Sequence, residues 1–241
     1  MPWVSHITGA FVRIKRTPAP ARLRYLVARK RRNYLYVILV ALIALGLAYV
    51  ARQGGKITAS PTPSTSASAA KSELGDLKIA KPLSMSGYSR EKFPHWINQG
   101  NDCDTREVVL KRDGSGVKEN SECHPTSGKW VSKYDDKTFT DPDGLDIDHL
   151  VPLANAWRSG AATWSTARRE AFANDLKDPQ LIAVSASSNR SKGDQDPSQW
   201  KPPSEAFWCQ YARDWIAVKY RWHLTITSAE KSALTDMLGR C

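Results

Sequence analysis

The sequence predicts an α+β fold, and a few stretches of the chain carry that prediction. Gly144 to Leu150 reads as a short strand that Pro152 stops, and Leu181 to Val184 reads as a second, apolar strand. The polar run Ser187 to Gly193 follows that second strand as a short helix. Ser204 to Trp222 has the length and apolar spacing of a long amphipathic helix. The chain is therefore expected to form a small sheet with added helices.

The N-terminal part of the 241-residue chain differs from the rest in charge. Residues 1–72 carry twelve Lys or Arg and no Asp or Glu, whereas residues 73–241 carry a formal charge of about −1. The net charge of +11 is therefore a property of the N-terminal part. It gives no evidence of a nucleic-acid-binding face on the C-terminal part.

Residues 34–50 predict a single transmembrane helix. They contain seventeen residues without a charge and follow a basic tail, residues 1–33. At about 1.5 Å per residue such a helix covers roughly 25 Å. The excess of Lys and Arg before it predicts a cytoplasmic N-terminus and an extracellular C-terminal domain. A signal peptide that is cleaved to release a secreted protein, and a buried core helix, are the competing interpretations.

Residues 51–86 predict a flexible linker, because Ala, Ser, Thr, Pro and Gly dominate much of it and offer little to bury. Such a tether would hold the following domain off a membrane and close to a cell wall. The globular part is expected to begin between Ser72 and Gly87, and we assign the domain to residues 87–241. That length is sufficient for one well-formed core.

All four cysteines lie beyond the predicted membrane segment, at positions 103, 123, 209 and 241. An even count outside the cell favours two disulfides, whereas free thiols are expected if the domain is not exterior. Three pairings are possible, and we expect Cys103 with Cys123 and Cys209 with Cys241. The first pair would staple N-terminal strands expected at Arg106–Lys111 and Gly128–Tyr134.

Two polar stretches about forty residues apart carry the candidate chemistry: DIDHLVP at residues 146–152 and NRSKGD at residues 189–194. Asp148 and His149 are neighbours on the predicted strand, so their side chains point to opposite faces. A carboxylate and the Asn189 amide are oxygen ligands that Mg²⁺ accepts. An imidazole near its ordinary pKa can take a proton from water. These groups together could hydrolyse a phosphodiester, and a structural turn is the competing interpretation.

Both stretches, with the tail Asp196-Pro197-Ser198-Gln199-Trp200, resemble the HNH endonuclease superfamily. The sequence is similar to the branch typified by the C-terminal nuclease domain of GmrSD-type restriction enzymes, here in a membrane-anchored, actinobacterial-type arrangement. The resemblance implies a ββα-metal (His-Me finger) core with added helices and N-terminal strands. The transmembrane helix would precede that core.

The resemblance also implies a role for each matching residue. His149 would be the general base, and Asp148 and Asn189 would be the metal ligands. Asp146 would be an orienting acid among the catalytic residues. Lys192, the remaining catalytic candidate, would lie close to a phosphate.

One residue of the family pattern has no clear counterpart. The middle asparagine usually stands just before the second strand, where this sequence has Gln180. Gln180 carries the same amide group on a longer stem, so we expect it to supply the hydrogen bond that orients the base.

The activity that the resemblance implies is metal-dependent hydrolysis of DNA with little sequence preference. Mg²⁺ is the expected cofactor, and Mn²⁺ is the alternative. A non-catalytic surface module on a degenerate nuclease fold is a competing interpretation, motivated by the near-neutral domain and the missing asparagine. A nuclease toxin delivered to competitors is a third.

Overall fold

A computed structural model describes residues 66–241 and confirms a mixed α+β composition for that part of the chain. The helices are α1 (Ala67–Asp76), α2 (Thr105–Asp113), α3 (Leu153–Arg158), α4 (Thr166–Ala173), α5 (Ala186–Lys192), α6 (Trp208–Arg221) and α7 (Ser228–Leu238). The strands are β1 (Asn98–Gly100), β2 (Cys103–Asp104), β3 (Ser115–Glu119), β4 (Pro125–Val131), β5 (Thr138–Phe139), β6 (Leu145–His149) and β7 (Leu181–Ser185).

Within residues 66–241, no helix has both the length and the apolar character that crossing a membrane requires. The predicted transmembrane segment, residues 34–50, lies outside the described residues, as does the basic tail, residues 1–33.

Helix α1 corrects the predicted extent of the linker. The Ser66 hydroxyl accepts a hydrogen bond from the Ala69 amide at 3.2 Å and caps the helix. Ala70 and Leu74, four residues apart, are buried, and the helix packs against α6 and α7. The prediction of a linker that continues to residue 86 is therefore wrong, because a small apolar face within a polar composition was enough to dock this segment.

The strands form small antiparallel sheets: β1 with β2, β3 with β4 and β5, and β6 with β7. The β6–β7 pair is in continuous register from Leu145 opposite Ser185 to His149 opposite Leu181. Helix α5 begins directly after β7, so the chain makes two antiparallel strands and then a helix. This is the order of elements that the motif spacing predicts.

Helix α2 occupies the stretch Arg106–Lys111 that the sequence predicts as a strand. Asp104 and Glu107 form a capping box, in which each side chain accepts a hydrogen bond from the other residue's backbone amide. Val109 and Leu110 are buried in a hydrophobic cluster with β6 and β7. The strand prediction was wrong because consecutive apolar residues fit either structure, and the capping signal decides for the helix.

Both predicted disulfides are confirmed. Cys103–Cys123 joins the short strand β2 to the loop that connects β3 and β4. Cys209–Cys241 ties the last residue of the chain to the first turn of α6. Each disulfide thus closes one loop of the chain, the first from β2 to the loop before β4 and the second from α6 to Cys241.

Helix α6 is the centre of the main core, as its apolar spacing predicts. Tyr211, Trp215 and Val218 have no exposed surface. Helix α7 begins with a capping box between Thr227 and Glu230 and packs against α6. This assembly forms the scaffold next to which β6, β7 and α5 are placed.

Candidate active site

Strand β6 sends its acids and its histidine to opposite faces. Side chains alternate along a strand, so Asp146 and Asp148 share one face and His149 lies on the other. Helix α5 covers the face of the two acids, because its Asn189 and Lys192 hydrogen-bond to them.

The His149 ring is buried and held in one orientation. His149 is only 4% exposed, and its Nε2 lies 2.9 Å from the Ala173 carbonyl oxygen. Because a carbonyl only accepts, the neutral ring carries its hydrogen on Nε2 and leaves Nδ1 as an acceptor. Nδ1 makes no hydrogen bond to any described residue. Burial lowers the pKa of His149 to about 3, so the ring is neutral at physiological pH.

Asp148 uses only one of its two oxygens inside the protein. Its Oδ2 accepts hydrogen bonds from Lys192 Nζ at 2.6 Å and from the Tyr134 hydroxyl. Its Oδ1 has no hydrogen-bond partner among the described residues. Burial raises the pKa of Asp148 and lowers that of Lys192, and the contact between the two opposes both shifts.

Asn189 has a similar arrangement. Its Nδ2 donates to Asp146 Oδ2 at 3.1 Å, which leaves the amide oxygen without a partner among residues 66–241. Arg190 Nε lies 3.8 Å from the same carboxylate oxygen. Asp146 therefore fixes which end of the Asn189 amide is available, in line with the orienting role expected of it.

Residues from both faces of β6 and from α5 line one cavity of about 280 Å³. Its lining residues are Tyr88, Arg90, Ile147, Asp148, His149, Pro152, Leu153, Ala154, Asn189, Arg190, Gly193 and Asp194. The predicted base and both predicted metal ligands are therefore among the residues that line one cavity.

Lys192 and Gln180 do not line this cavity. Lys192 has no exposed surface and donates to Asp148 and to the His149 carbonyl oxygen, at 3.0 Å for the latter. A phosphate contact by Lys192 is thus excluded by its burial. Gln180 hydrogen-bonds both backbone groups of Val151, and the Ala173 carbonyl takes the position next to the imidazole instead.

Several residues of the site lie outside the two motifs. Trp96 stacks on the His149 ring with centroids 5.5 Å apart, and its φ of 59° is unusual for a bulky residue. Tyr134 binds Asp148, and Arg90 lines the cavity. Ala173 contributes only its backbone. The sequence gives no signal for these partners, because they come from segments whose position depends on the tertiary fold.

The donor set suits a hard divalent cation. A carboxylate oxygen of Asp148 and the amide oxygen of Asn189 are the ligand types that Mg²⁺ prefers, with water completing the coordination. A different cluster, Cys103, Glu119 and Cys123, has potential ligand atoms close together. Its two sulfurs form a disulfide, so that cluster does not supply thiolate ligands.

The fold and site define a class of protein: a disulfide-bonded α+β domain with a histidine, a carboxylate and an amide around one cavity. The family model described as the C-terminal domain of GmrSD restriction endonucleases matches residues 115–237, just over half of the chain. The chain belongs to this family. The match begins at β3 and ends within α7, so it contains β6, β7 and α5.

One relative extends the comparison towards the N-terminus. A protein of the fungus Arthroderma benhamiae, named uncharacterized secreted protein, is 54% identical over 183 residues, which cover 75% of this chain and 90% of the relative. This relative lends no support to a membrane-anchored, actinobacterial-type arrangement. No solved structure matches the chain.

Proposed function

We propose that the domain is a metal-dependent endonuclease that hydrolyses phosphodiester bonds of DNA with little sequence preference. The observation that supports this proposal most is the shared cavity of His149, Asp148 and Asn189. Each of the three has a side-chain atom without a partner among the described residues, although each is otherwise held by hydrogen bonds.

His149 would act as the general base. Nδ1 takes a proton from a water in the cavity while Nε2 remains hydrogen-bonded to the Ala173 carbonyl, which also stabilises the imidazolium that forms. A pKa of about 3 keeps the ring unprotonated before reaction but makes it a weak base. A substrate phosphate in the cavity would raise that pKa, because a nearby negative charge favours the charged ring.

Asp148 and Asn189 would hold the cation. A bound divalent cation supplies stabilisation of the charge that develops on the phosphate and the leaving oxygen. Lys192 and Tyr134 hold Asp148 Oδ2, which directs Oδ1 to the ligand role. Lys192 is in this proposal a positioning residue and not a phosphate ligand.

Arg90 and Arg190 would contact the substrate backbone. Both line the cavity, and the Arg190 side chain is 77% exposed. Contacts of arginine with phosphates carry no sequence information, which agrees with the low sequence preference proposed here.

We also propose that the domain works outside the cytoplasm. Two disulfides in a domain of this size are typical of an oxidising compartment, and the fungal relative is named as secreted. Residues 34–50 would be either an anchor or a signal that is removed. Fractionation of cells that express the whole chain separates these cases, since an anchored protein stays with the membrane and a cleaved one appears in the medium.

Plasmid nicking with Mg²⁺ or Mn²⁺ tests the proposed activity. We expect nicking by the wild-type protein, loss of nicking in EDTA, and loss in His149→Ala. His223→Asn is the matched control, because His223 is an exposed histidine with a positive φ that asparagine also tolerates. Nicking that persists in both EDTA and His149→Ala would refute this site.

A non-catalytic binding module is the second candidate, and one observation favours it. Asp148 is already paired with the buried ammonium of Lys192, so the site offers a cation less negative charge than an unpaired carboxylate would. Calorimetric titration with Mn²⁺ discriminates the two. Heat of binding that disappears in Asn189→Ala supports the nuclease, and a folded protein without any binding supports the module.

A further inference from the structure

A second cavity, of about 300 Å³, lies along the outer edge of β7. Leu181, Ile182 and Ala183 of β7 line it, whereas the active-site cavity is lined by residues of β6. The two cavities share no lining residue. They therefore border the same pair of strands from different edges, and the mechanism proposed above leaves the second one unused.

One wall of this cavity is a face of helix α6 that combines apolar and hydrogen-bonding groups. Gln210, Asp214, Ala217 and Arg221 recur at helical spacing along it. Gln210 Nε2 donates to Asp214 Oδ1 at 2.6 Å, and Asp214 Oδ2 has no hydrogen-bond partner among residues 66–241. Burial raises the pKa of Asp214 to about 7, so the carboxyl can accept or donate at neutral pH.

Part of the cavity lining is aliphatic. It is formed by Leu150, Leu176, Ile182 and Ala217. Asp113 and Asp178 also line the cavity but are paired with Arg112 and Arg221. An apolar wall next to the Asp214 carboxyl suits a flat, partly polar group with N–H donors, such as a nucleobase.

The same cavity carries three basic side chains. Arg112 is fixed by a hydrogen bond to the Leu181 carbonyl oxygen at 2.6 Å and by its pair with Asp113. Arg221 pairs with Asp178 through Nη1, which leaves its other donors free of described partners. Lys133 is exposed and forms no ion pair within the described residues. Held guanidinium groups together with an exposed ammonium suit a phosphate.

We infer that this cavity binds one nucleotide unit, with the base against Asp214 and the aliphatic walls and the phosphate at Arg112, Lys133 and Arg221. The choice of a nucleotide rests on the proposed nuclease function. The base-binding and phosphate-binding groups of this cavity do not depend on catalysis at His149, so the two proposals can fail separately.

Titration of the protein with deoxynucleoside 5′-monophosphates in EDTA tests this inference, with inorganic phosphate as the reference probe. We expect nucleotides to bind at least about tenfold more tightly than phosphate, because the base adds a charge-assisted hydrogen bond and apolar contact. Asp214→Leu and Lys133→Glu should each weaken nucleotide binding by about tenfold. Asp236→Asn, at an exposed acid on α7, should leave it unchanged.

Lys133→Glu keeps the test decisive if Asp214→Leu fails to fold, because Lys133 lies on the surface. Nucleotide binding no tighter than phosphate binding, or unaffected by Lys133→Glu, overturns the inference. If a short single-stranded oligonucleotide competes with the mononucleotide, the natural ligand of the cavity is a nucleotide of the substrate strand. If it does not compete, the natural ligand is a free nucleotide. Plasmid nicking without mononucleotide binding overturns this inference alone, and binding without nicking overturns only the proposed function.

Discussion

Two lysines with no exposed surface, Lys192 and Lys219, each pair with a buried carboxylate, yet only one pair lies at the candidate site. In the scaffold, Lys219 donates to Glu230 at 2.8 Å, to the Ser159 hydroxyl and to the Thr225 carbonyl oxygen. Glu230 uses both of its oxygens, since Oε1 also accepts from Trp215 and Oε2 accepts from the Thr227 amide. Every oxygen of this carboxylate has a partner.

The Lys192–Asp148 pair at the candidate site does not use all of its hydrogen-bonding capacity within the described residues. Lys192 donates to Asp148 at 2.6 Å and to one backbone carbonyl, and Asp148 Oδ1 remains without a partner among the described residues. A buried pair whose partners are all satisfied rigidifies and specifies a packed interior, whereas a pair with one oxygen left over can offer that oxygen to a ligand. Under the proposed function, the same residue chemistry serves structure at α6 and ligand binding at β6.

Removing each lysine is the strongest way to test this contrast. Lys219→Met leaves Glu230 charged and enclosed, so we expect a loss of about 3–5 kcal/mol in the free energy of unfolding. Lys192→Met should cost less, because Asp148 is 5% exposed whereas Glu230 is 1% exposed, so water reaches the charge left behind at Asp148 more easily. Urea denaturation measures both, with Lys231→Met on α7 as the control. An equal cost for the two buried lysines would contradict the contrast.

Neutralising each carboxylate separates activity from stability. Asp148→Asn should reduce metal-dependent nicking by on the order of 100-fold, because the cation loses its only charged protein ligand in the proposed set. Glu230→Gln should lower stability and leave nicking unchanged at a temperature where the variant is folded. Equal loss of activity in both variants would show that Asp148 acts only through the fold.

The contributions of His149, at the candidate site, and of Asp214, on α6, to the stability of the fold should change with pH in opposite directions. Below its ordinary pKa of 6.5 and down to about 3, His149 binds a proton only in the unfolded chain, so stability falls as pH is lowered. Between its ordinary pKa of 3.8 and about 7, Asp214 binds a proton only in the folded chain, so stability falls as pH rises.

These two slopes oppose each other between pH 3.8 and 6.5, each being at most about 1.4 kcal/mol per pH unit. Relative to wild type, His149→Gln should therefore become more stable on acidification across this range, and Asp214→Asn should become less stable. Urea midpoints at several pH values measure both trends. Parallel curves for the wild type and both variants would disprove this assignment.

The smallest expected effects come from the neutral donors of the two pairs. Tyr134→Phe removes one hydrogen bond to Asp148, which should cost about 1 kcal/mol of stability and weaken Mn²⁺ binding by about tenfold. Trp215→Phe removes the corresponding bond to Glu230 and should change stability alone. Calorimetric titration of both variants with Mn²⁺ is the measurement, and an equal change in affinity would remove the distinction between them.

Much of the site could be predicted because its signals are local. The strand at Leu145–His149, the strand at Leu181–Ser185 and the helix after it follow from apolar runs and their breaks. The strand predicted at Arg106–Lys111 was wrong because a short apolar run fits a strand or a helix. The linker predicted over α1 was wrong because a weakly apolar helix becomes stable only when it packs against a partner.

The roles of Lys192 and Gln180 could not be read from the sequence. A lysine three residues after a candidate ligand can face solvent or the interior, and the choice depends on Tyr134 and Asp148. Gln180 hydrogen-bonds the backbone amide and carbonyl oxygen of Val151. These groups need a partner only once folding has buried them. The orientation of the imidazole depends on the backbone of Ala173.

The sequence by itself determined the family, the paired strands with their helix, and the three residues that meet at the cavity, since each depends on neighbours close along the chain. Only the tertiary structure decided that His149 is buried and neutral, and that His149 Nδ1 and one Asp148 oxygen have no partner within residues 66–241. The burial of these side chains and the hydrogen-bond partners around them depend on residues far apart in sequence. They exist only after the core around α6 has formed.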